Sequence, residues 1–454
     1  MFAARRLLAS ALAAETGIPT SDQSSSVTLW TMQHIKLNTR RAPSWHLSIP
    51  LCHIPNITVT TAAQGRALAR ALKQRTLDYT SAIDYCPTTG RLLVSLSALA
   101  LCDLSHAISA GLAHSYPVSG TLTPPVRIFK WSDSSGFSRN KLIADTLAQA
   151  LCKLSEITPG GRSSVCLEIA RGRRLASTDT QAVGVEKVAL RRMPRMFTAL
   201  AAAGRMWHDK REGSLKTCVL LEAGLTVPLA DEQGCVSQTA KDACTLFEQM
   251  CADNVVKGEM WCHFVPDSSL QNDAHWHMVV CVAQLAYEGV MQVPVPVVNR
   301  LCFARKCSGL PKVTGAAPEL ALARNCLVLG TRPSAPCPAA VARANSGHYI
   351  LKIYRRLARS QPSSDATHSG GSLSAAASQV AVLVSALPET LYRAVAQQRT
   401  ALLVDYFTRL AHAAAKCMAG DEPRNCAAVL ADAFVVLRIG LQIIVRGLDF
   451  EAMA

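Results

Sequence analysis

Four cationic side chains in "HYILKIYRRLARS" are spaced so that a helix would carry them on one face. Their positions follow the repeat i, i+3, i+4 and i+7: Lys352, Arg355, Arg356 and Arg359. The other face would carry apolar side chains, which is typical of an amphipathic helix. Such a row of cations can bind the phosphates of a nucleic acid, but a solvated helix face has the same pattern. Both interpretations stay open on these residues alone.

Aromatic side chains occur in the same part of the chain, and unpaired RNA bases are bound largely by stacking on such rings. The available rings are those of Tyr349, Tyr354, Tyr392, Tyr406 and Phe407. If the chain binds RNA, the candidate contacts are Lys352, Arg355, Arg356, Arg359, Arg393, Arg409 and Tyr406.

Other residue types that could do chemistry do not form a recognisable site. His275 and His277, with His263 upstream, suggest metal ligands, but His-x-His on a helix does not place both rings on one face. We expect no acidic partner near them and interpret them as structural or surface residues. The Gly-rich turn "TPGGRSS" lacks the spacing of a phosphate-binding P-loop. We therefore predict no metal, no cofactor and no catalytic residue.

Composition favours a folded protein with a polyanionic partner. The chain has 454 residues, 49% of them apolar, and a formal net charge of +15. Between Arg171 and Lys216, eleven Lys and Arg stand against four Asp and Glu. RNA or DNA is the first candidate for such a partner. The 17 Cys are scattered without a CxxC pair, which predicts free thiols and a reducing compartment.

The terminal segments bear on localisation. The most apolar windows fall short of the roughly 20 residues that a bilayer requires, and Arg438 and Arg446 interrupt the last of them, so we expect no membrane partner. The start, "MFAARRLLASALAAE", is compatible with a mitochondrial targeting helix or with the first helix of the fold. We favour the second interpretation and a cytoplasmic protein, with mitochondrial or nuclear localisation as alternatives.

Pro-, Gly- and Ser-rich breaks divide the chain into three predicted domains. Residues 1–120 mix helices with short strands and are predicted to be α+β. Residues 121–330 alternate strands and helices, which predicts an α/β domain. Residues 338–454 are predicted to form a helical bundle, interrupted by a low-complexity loop at 360–378. We expect a helix break near Gln397 and a Thr cap near Thr61.

The last hundred residues resemble the DALR anticodon-binding domain that ends arginyl-tRNA synthetases. "NSGHYILKIYRRLAR" is similar to the first helix of that domain. "LVSALPETLYRAVAQQRTALLVDYFTRLAHAAAKCM" and "AVLADAFVVLRIGLQIIVRGLDF" resemble its later helices, in the same order. The resemblance rests on the ordered set, and it implies binding of tRNA through the anticodon arm.

A second resemblance lies earlier in the chain. In arginyl-tRNA synthetases a strand leads to a His-x-Gly-His turn and a helix containing Ala-Asp-x-Leu-Ala. Here "RNKLIADTLAQAL" is similar to that helix, and the turn positions are Ser134, Ser135, Gly136 and Phe137. Both His are absent. The Lys-Met-Ser-Lys signature is also absent from "VNRLCFARKCSGLPKVTGAA", which keeps Lys312. The resemblance thus implies a degenerate class I synthetase-like, Rossmann-type domain without amino-acid activation.

Together these features resemble the DALR anticodon-binding domain-containing protein 3 family, as does "LPKVTGAAPELALA". That resemblance implies a non-catalytic protein that binds arginine tRNA. It also implies a partner, a tRNA methyltransferase that forms 3-methylcytidine in the anticodon loop. Two alternatives remain open: a divergent, ATP-dependent arginyl-tRNA synthetase, and a structural subunit of a synthetase complex.

Overall fold

The structure is a computed structural model of the 454-residue chain. It describes residues 2–15, 35–37, 45–54, 58–110, 126–130, 139–157, 166–168, 193–209, 216–221, 225–231, 235–252, 260–266, 270–292, 298–304, 318–331, 345–360, 373–420 and 423–445.

The first part of the chain forms a small antiparallel sheet with helices. Its elements are α1 (Phe2–Glu15), β1 (Lys36–Leu37), β2 (Leu47–Pro50), α2 (Ala62–Arg75), β3 (Thr80–Cys86), β4 (Arg91–Leu96) and α3 (Ala98–Ser109). The strand order is β1-β2-β4-β3, with antiparallel pairing throughout. The Thr61 side chain accepts a hydrogen bond from the Gln64 backbone N–H, and the Gln64 side-chain oxygen Oε1 accepts one from the Thr61 backbone N–H. This capping box confirms the predicted helix start.

A parallel four-stranded sheet follows. Its elements are β5 (Val126–Lys130), α4 (Arg139–Ile157), β6 (Cys166–Glu168), β10 (Met260–Pro266), α7 (Leu270–Met291) and β11 (Val298–Ala304). The strand order is β11-β10-β5-β6, and all three pairings are parallel. The chain leaves β5 toward β6 on one side, and β10 lies on the other. The gap between β5 and β10 is therefore a topological switch point, where open α/β sheets bind ligands at the carboxyl edge.

An antiparallel unit is inserted between β6 and β10. It comprises α5 (193–202), β7 (Met206–Asp209), β8 (Lys216–Leu220), β9 (Thr226–Ala230) and α6 (Gln238–Ala252). The three strands pair in the order β7-β8-β9. The alternation of strands and helices predicted an α/β domain over residues 121–330, and the antiparallel pairing of these three strands is a detail that the alternation did not reveal. The reason for this pairing is that β8 and β9 are joined by a short connection, which permits only antiparallel pairing.

Strand β10 joins two hydrophobic cores. Met260, Cys262 and Phe264 pack into the larger core, whereas Trp261 and Val265 pack into the core of the inserted unit. Successive side chains of a strand point to opposite faces, so a parallel strand that is covered on both sides buries every residue. This explains why every residue from Met260 to Val265, His263 included, is buried.

The last part of the chain is helical, as the sequence predicts. Its helices are α8 (Pro318–Leu329), α9 (Asn345–Arg359), α10 (Ala375–Ser385), α11 (Leu387–Ala396), α12 (Ala401–Met418) and α13 (Pro423–Ile444). Pro388 lies in the first turn of α11. The helix break predicted near Gln397 is confirmed by the ends of α11 and α12. Helices α12 and α13 approach closely, since a Cβ added at Gly440 would lie 2.5 Å from the ring of Phe407.

One helix of the bundle is long and apolar enough to cross a bilayer by length and composition. The segment is Cys426–Ile444 in α13, and 56% of its window is buried inside the protein. Its buried residues include Val436, Leu437 and Leu441, which belong to the larger core. Since a central helix of a folded bundle has the same composition, the hydropathy of α13 is accounted for by its packing.

The larger core is shared by the N-terminal sheet, α4 and the bundle. Polar contacts also join the N-terminal part of the chain to the bundle. Arg5 Nη2 of α1 lies 2.8 Å from Glu389 Oε2 of α11, with both side chains largely buried. Ser105 Oγ of α3 donates a 2.7 Å hydrogen bond to Asp432 Oδ2 of α13. Helix α1 is thus an integral element of the fold, and the N-terminal sheet is docked on the bundle.

His46, directly before β2, contacts both the N-terminal sheet and the bundle. Its Nδ1 accepts a 2.9 Å hydrogen bond from the Leu96 N–H, and its Nε2 lies 3.4 Å from Ser378 Oγ of α10. Burial lowers the pKa of His46 from its ordinary value of 6.5. Between the two pKa values, His46 is therefore protonated in the unfolded chain and neutral in the folded chain.

We predict that the stability of the protein falls as the pH drops below about 6.5, because the folded-state pKa lies below the unfolded one. The measurement is the urea midpoint between pH 8 and pH 5, for wild type and for His46→Asn, whose side-chain carbonyl can accept from Leu96 without titrating. A shallower pH slope in the variant is expected. Identical slopes would show that His46 is not the responsible group.

Candidate nucleic-acid interface

Helix α9 exposes three of the four cations that the sequence predicted on one face. Its apolar residues Ile350, Ile353, Tyr354 and Leu357 are buried in the larger core. Lys352, Arg356 and Arg359 are exposed. Because the apolar stripe fixes the rotation of the helix, these three side chains share the solvent face.

Arg355 has a different role from its neighbours. It is half-buried, and its Nη1 donates a 2.7 Å hydrogen bond to Glu319 Oε1 of α8. Its charge is therefore balanced within the protein. Of the four cations predicted on α9, Arg355 is the one engaged in helix packing, and the other three provide the positive surface.

Two further candidate cations lie on neighbouring helices. Arg393 is exposed on α11. Arg409 is exposed on α12, where its Nη2 lies 2.8 Å from Asp405 Oδ2 one turn earlier. An exposed pair of this kind contributes little to stability and can exchange its partner for a phosphate.

Tyr406 is not on the surface, and this corrects its selection as an RNA contact. The residue is 6% exposed and packs edge to face on Phe407. Its hydroxyl donates a 2.7 Å hydrogen bond to the Leu383 carbonyl of α10, and burial raises the pKa of Tyr406 well above 10.0. Aromatic residues suit both a core and a base-binding surface, and the sequence did not distinguish the two.

A second tyrosine of the bundle, Tyr349 of α9, is half-buried. Its ring stacks on His412 of α12, with 4.3 Å between the ring centroids and 28° between the planes. His412 was not among the residues selected from the sequence. The sequence pattern could have identified it, because Arg409, His412 and Lys416 follow the i, i+3, i+7 spacing of one helix face. All three residues are exposed.

The positions of the degenerate ATP motif, Ser134, Ser135, Gly136 and Phe137, lie outside the described residues. The helix that follows them is described, and its start is buried at the switch point of the parallel sheet. Asn140 Nδ2 donates to the Val265 carbonyl at the end of β10. Arg139 Nη2 donates to the Thr331 carbonyl after α8 at 3.3 Å, and burial lowers the pKa of Arg139. Both residues thus fasten α4 to neighbouring elements.

The histidines considered as metal ligands are dispersed. His263 is buried in β10, and His277 is exposed on α7. His275 Nε2 lies 3.0 Å from Asp242 Oδ2, and its Nδ1 lies 3.2 Å from Thr239 Oγ1, both on α6. The expectation of no nearby acidic partner is therefore wrong for His275, because Asp242 is distant in sequence and close in space. Among the described residues, no group of three or more His, Cys, Asp and Glu could hold a metal ion.

Comparisons with known proteins agree with this architecture. No family model matches the sequence, and no curated protein matches it. The structure is similar to that of arginyl-tRNA synthetase from Thermus thermophilus, with a TM-score of 0.56 and 12% identity over 97% of this chain and 98% of that one. It is also similar to arginyl-tRNA synthetase from Plasmodium falciparum, with a TM-score of 0.60 and 9% identity over 90% and 93% of the two chains. The chain therefore has an arginyl-tRNA synthetase-like fold, in which a mixed α/β region precedes a helical bundle.

Proposed function

We propose that the protein is a non-catalytic tRNA-binding protein that holds arginine tRNA by its anticodon arm. The observation that carries the proposal is the exposed cationic face of α9, formed by Lys352, Arg356 and Arg359 on a bundle of an arginyl-tRNA synthetase-like fold. Cations on a helix face neutralise phosphates and release their counterions. The net charge of +15 adds long-range attraction for the same ligand.

The loss of catalysis is inferred from residue types at two separate places. Histidines at the start of a helix can bind phosphate oxygens and stabilise the charge that develops in adenylate formation. Ser134 and Phe137 stand at the corresponding positions, and a phenyl ring offers no hydrogen bond. The Lys-Met-Ser-Lys signature is absent as well. Two independent losses in one reaction favour a binding role over an enzymatic one.

In this proposal the bound tRNA is presented to a second protein. The partner class is a tRNA methyltransferase that forms 3-methylcytidine in the anticodon loop, as the sequence resemblance implies. The degenerate α/β region would serve as scaffold and partner surface.

The test of RNA binding is a filter assay with total tRNA, purified arginine tRNA and another tRNA of equal length. The proposal expects saturable binding at low salt, with arginine tRNA held more tightly than the other. Absent binding, or equal binding of both tRNAs, would contradict it. Adding the protein to a 3-methylcytidine-forming methyltransferase should then raise methylation of arginine tRNA and leave the other tRNA unaffected.

A divergent arginyl-tRNA synthetase is the second candidate, and one observation favours it. Asn140 Oδ1 is buried at the start of α4 and has no hydrogen-bond partner in the described part of the chain. A polar group at the carboxyl edge of a switch point could meet a ligand. ATP–pyrophosphate exchange with arginine separates the two candidates. We expect no exchange, and a signal that purifies with this protein would replace the proposal by the synthetase.

A further inference from the structure

We propose that the stacked pair of Tyr349 and His412 is a platform for one unpaired RNA base. This inference rests on the proposed function and assigns base binding to the seam between α9 and α12. The two rings come from different helices and are parallel within 28°, at 4.3 Å between centroids. A flat pair of rings is the form of surface on which bases stack, and such stacking accepts any base because every base has a π-face.

The pair is open on one side and held in place on the other. Tyr349 packs against the larger core, so its ring position is fixed by the bundle. His412 is exposed, and its Nδ1 lies 2.8 Å from the Thr408 carbonyl one turn earlier. This contact sets the ring plane. Since Tyr349 covers one face of the imidazole, the opposite face is the one that a base can reach.

Cations flank the platform on both helices. Lys352 lies one turn after Tyr349 on α9. On α12, Arg409 lies one turn before His412, and Lys416 lies one turn after it. These side chains are exposed. Phosphates on either side of a stacked base would meet a cation whichever way the strand runs, which is the arrangement that binds single-stranded nucleic acid.

The charge of this seam favours RNA over an apolar protein partner. Asp405, at the far end of the α12 face, is already paired with Arg409. For Lys352 and Lys416 no ion pair with an acid occurs within the described ranges. In RNA a base is flanked by phosphates, so one strand can stack on the rings and pair with the surrounding cations. A protein segment would have to combine an aromatic side chain with acidic neighbours to make the same contacts.

The experiment uses the full chain and two RNAs of equal length: an anticodon stem-loop of arginine tRNA, and a duplex without a loop. Wild type is expected to prefer the stem-loop. Tyr349→Ala and His412→Ala should each weaken stem-loop binding by about tenfold and leave duplex binding unchanged. Tyr349→Phe, which keeps the ring, should bind as wild type does. Tyr392→Ala is the control for a partly buried tyrosine elsewhere in the bundle.

The outcomes separate this inference from the proposed function. If wild type prefers the stem-loop and both alanine variants keep that preference, the platform is overturned while tRNA binding stands. If the variants lose stem-loop and duplex binding equally, the two rings are needed for the structure of the bundle and not for base stacking, and the platform is likewise overturned. If wild type binds neither RNA, the proposed function is contradicted, and the platform that rests on it is contradicted as well. The platform is supported only if both alanine variants lose the preference for the stem-loop while their duplex binding is unchanged.

Discussion

We expect Asp432→Ala to lower the free energy of unfolding by about 3 kcal/mol. Asp432 of α13 is 4% exposed and accepts hydrogen bonds from Ser105 and Ser109 of α3. His106 Nδ1 of the same helix lies 3.6 Å from Asp432 Oδ1. Removing the carboxylate leaves the fully buried hydroxyl of Ser105 without this acceptor and opens a gap between α3 and α13. An unsatisfied buried donor and the loss of packing both lower the free energy of unfolding.

The measurement is the urea midpoint, with Asp405→Ala as the matched control. Asp405 is an exposed acid in the same bundle, paired only at the surface with Arg409, so its loss should change stability by less than about 1 kcal/mol. Asp432→Asn keeps one carbonyl acceptor and should fall between the two. If Asp432→Ala were as stable as Asp405→Ala, the contact between α3 and α13 would not be what docks the N-terminal sheet.

The second large effect concerns RNA binding. Reversing Lys352 and Arg356 to Glu should weaken binding of arginine tRNA by about 30- to 100-fold at moderate salt. Each cation removed from a phosphate also lowers the slope of log affinity against log salt by about 0.7 to 0.9. The double variant should therefore lose between one and two units of slope. Binding titrations at several salt concentrations provide both quantities.

A charge-matched control lies on another domain. Arg66 and Arg70 are exposed on α2 of the N-terminal sheet, with the same four-residue separation as Lys352 and Arg356. Reversing them changes the net charge of the protein equally. The account expects a clearly smaller loss from this pair. Equal losses would mean that net charge, not the face of α9, attracts the RNA.

The helices of the bundle were predictable because local signals specify them. The apolar stripe of α9, the position of Pro388 in α11 and the break after Ala396 all depend on residues within a few turns of each other. The capping box at Thr61 is equally local. Such patterns fix an element and its buried face without reference to the rest of the chain.

Contacts between distant residues were not predictable from these signals. Ser105 and Asp432 lie 327 positions apart, and His275 meets Asp242 across two helices. Periodicity fixes which side of a helix is buried, but not which neighbour covers it. For the same reason Tyr406 and Tyr349 could not be ranked from the sequence, although Tyr406 lies in the core and Tyr349 is half-buried beside the exposed His412. The domain limits near residues 120 and 330 stay predictions.

In the proposed function, this protein binds arginine tRNA through its helical bundle. The most direct measurement is sequencing of RNA crosslinked to the protein in cells, with the crosslinked peptides identified in parallel. The account predicts arginine tRNAs as the enriched RNAs, crosslinks in the anticodon arm, and crosslinked peptides from α9 and α12. Enrichment of no tRNA, or crosslinks confined to peptides outside the bundle, would contradict it.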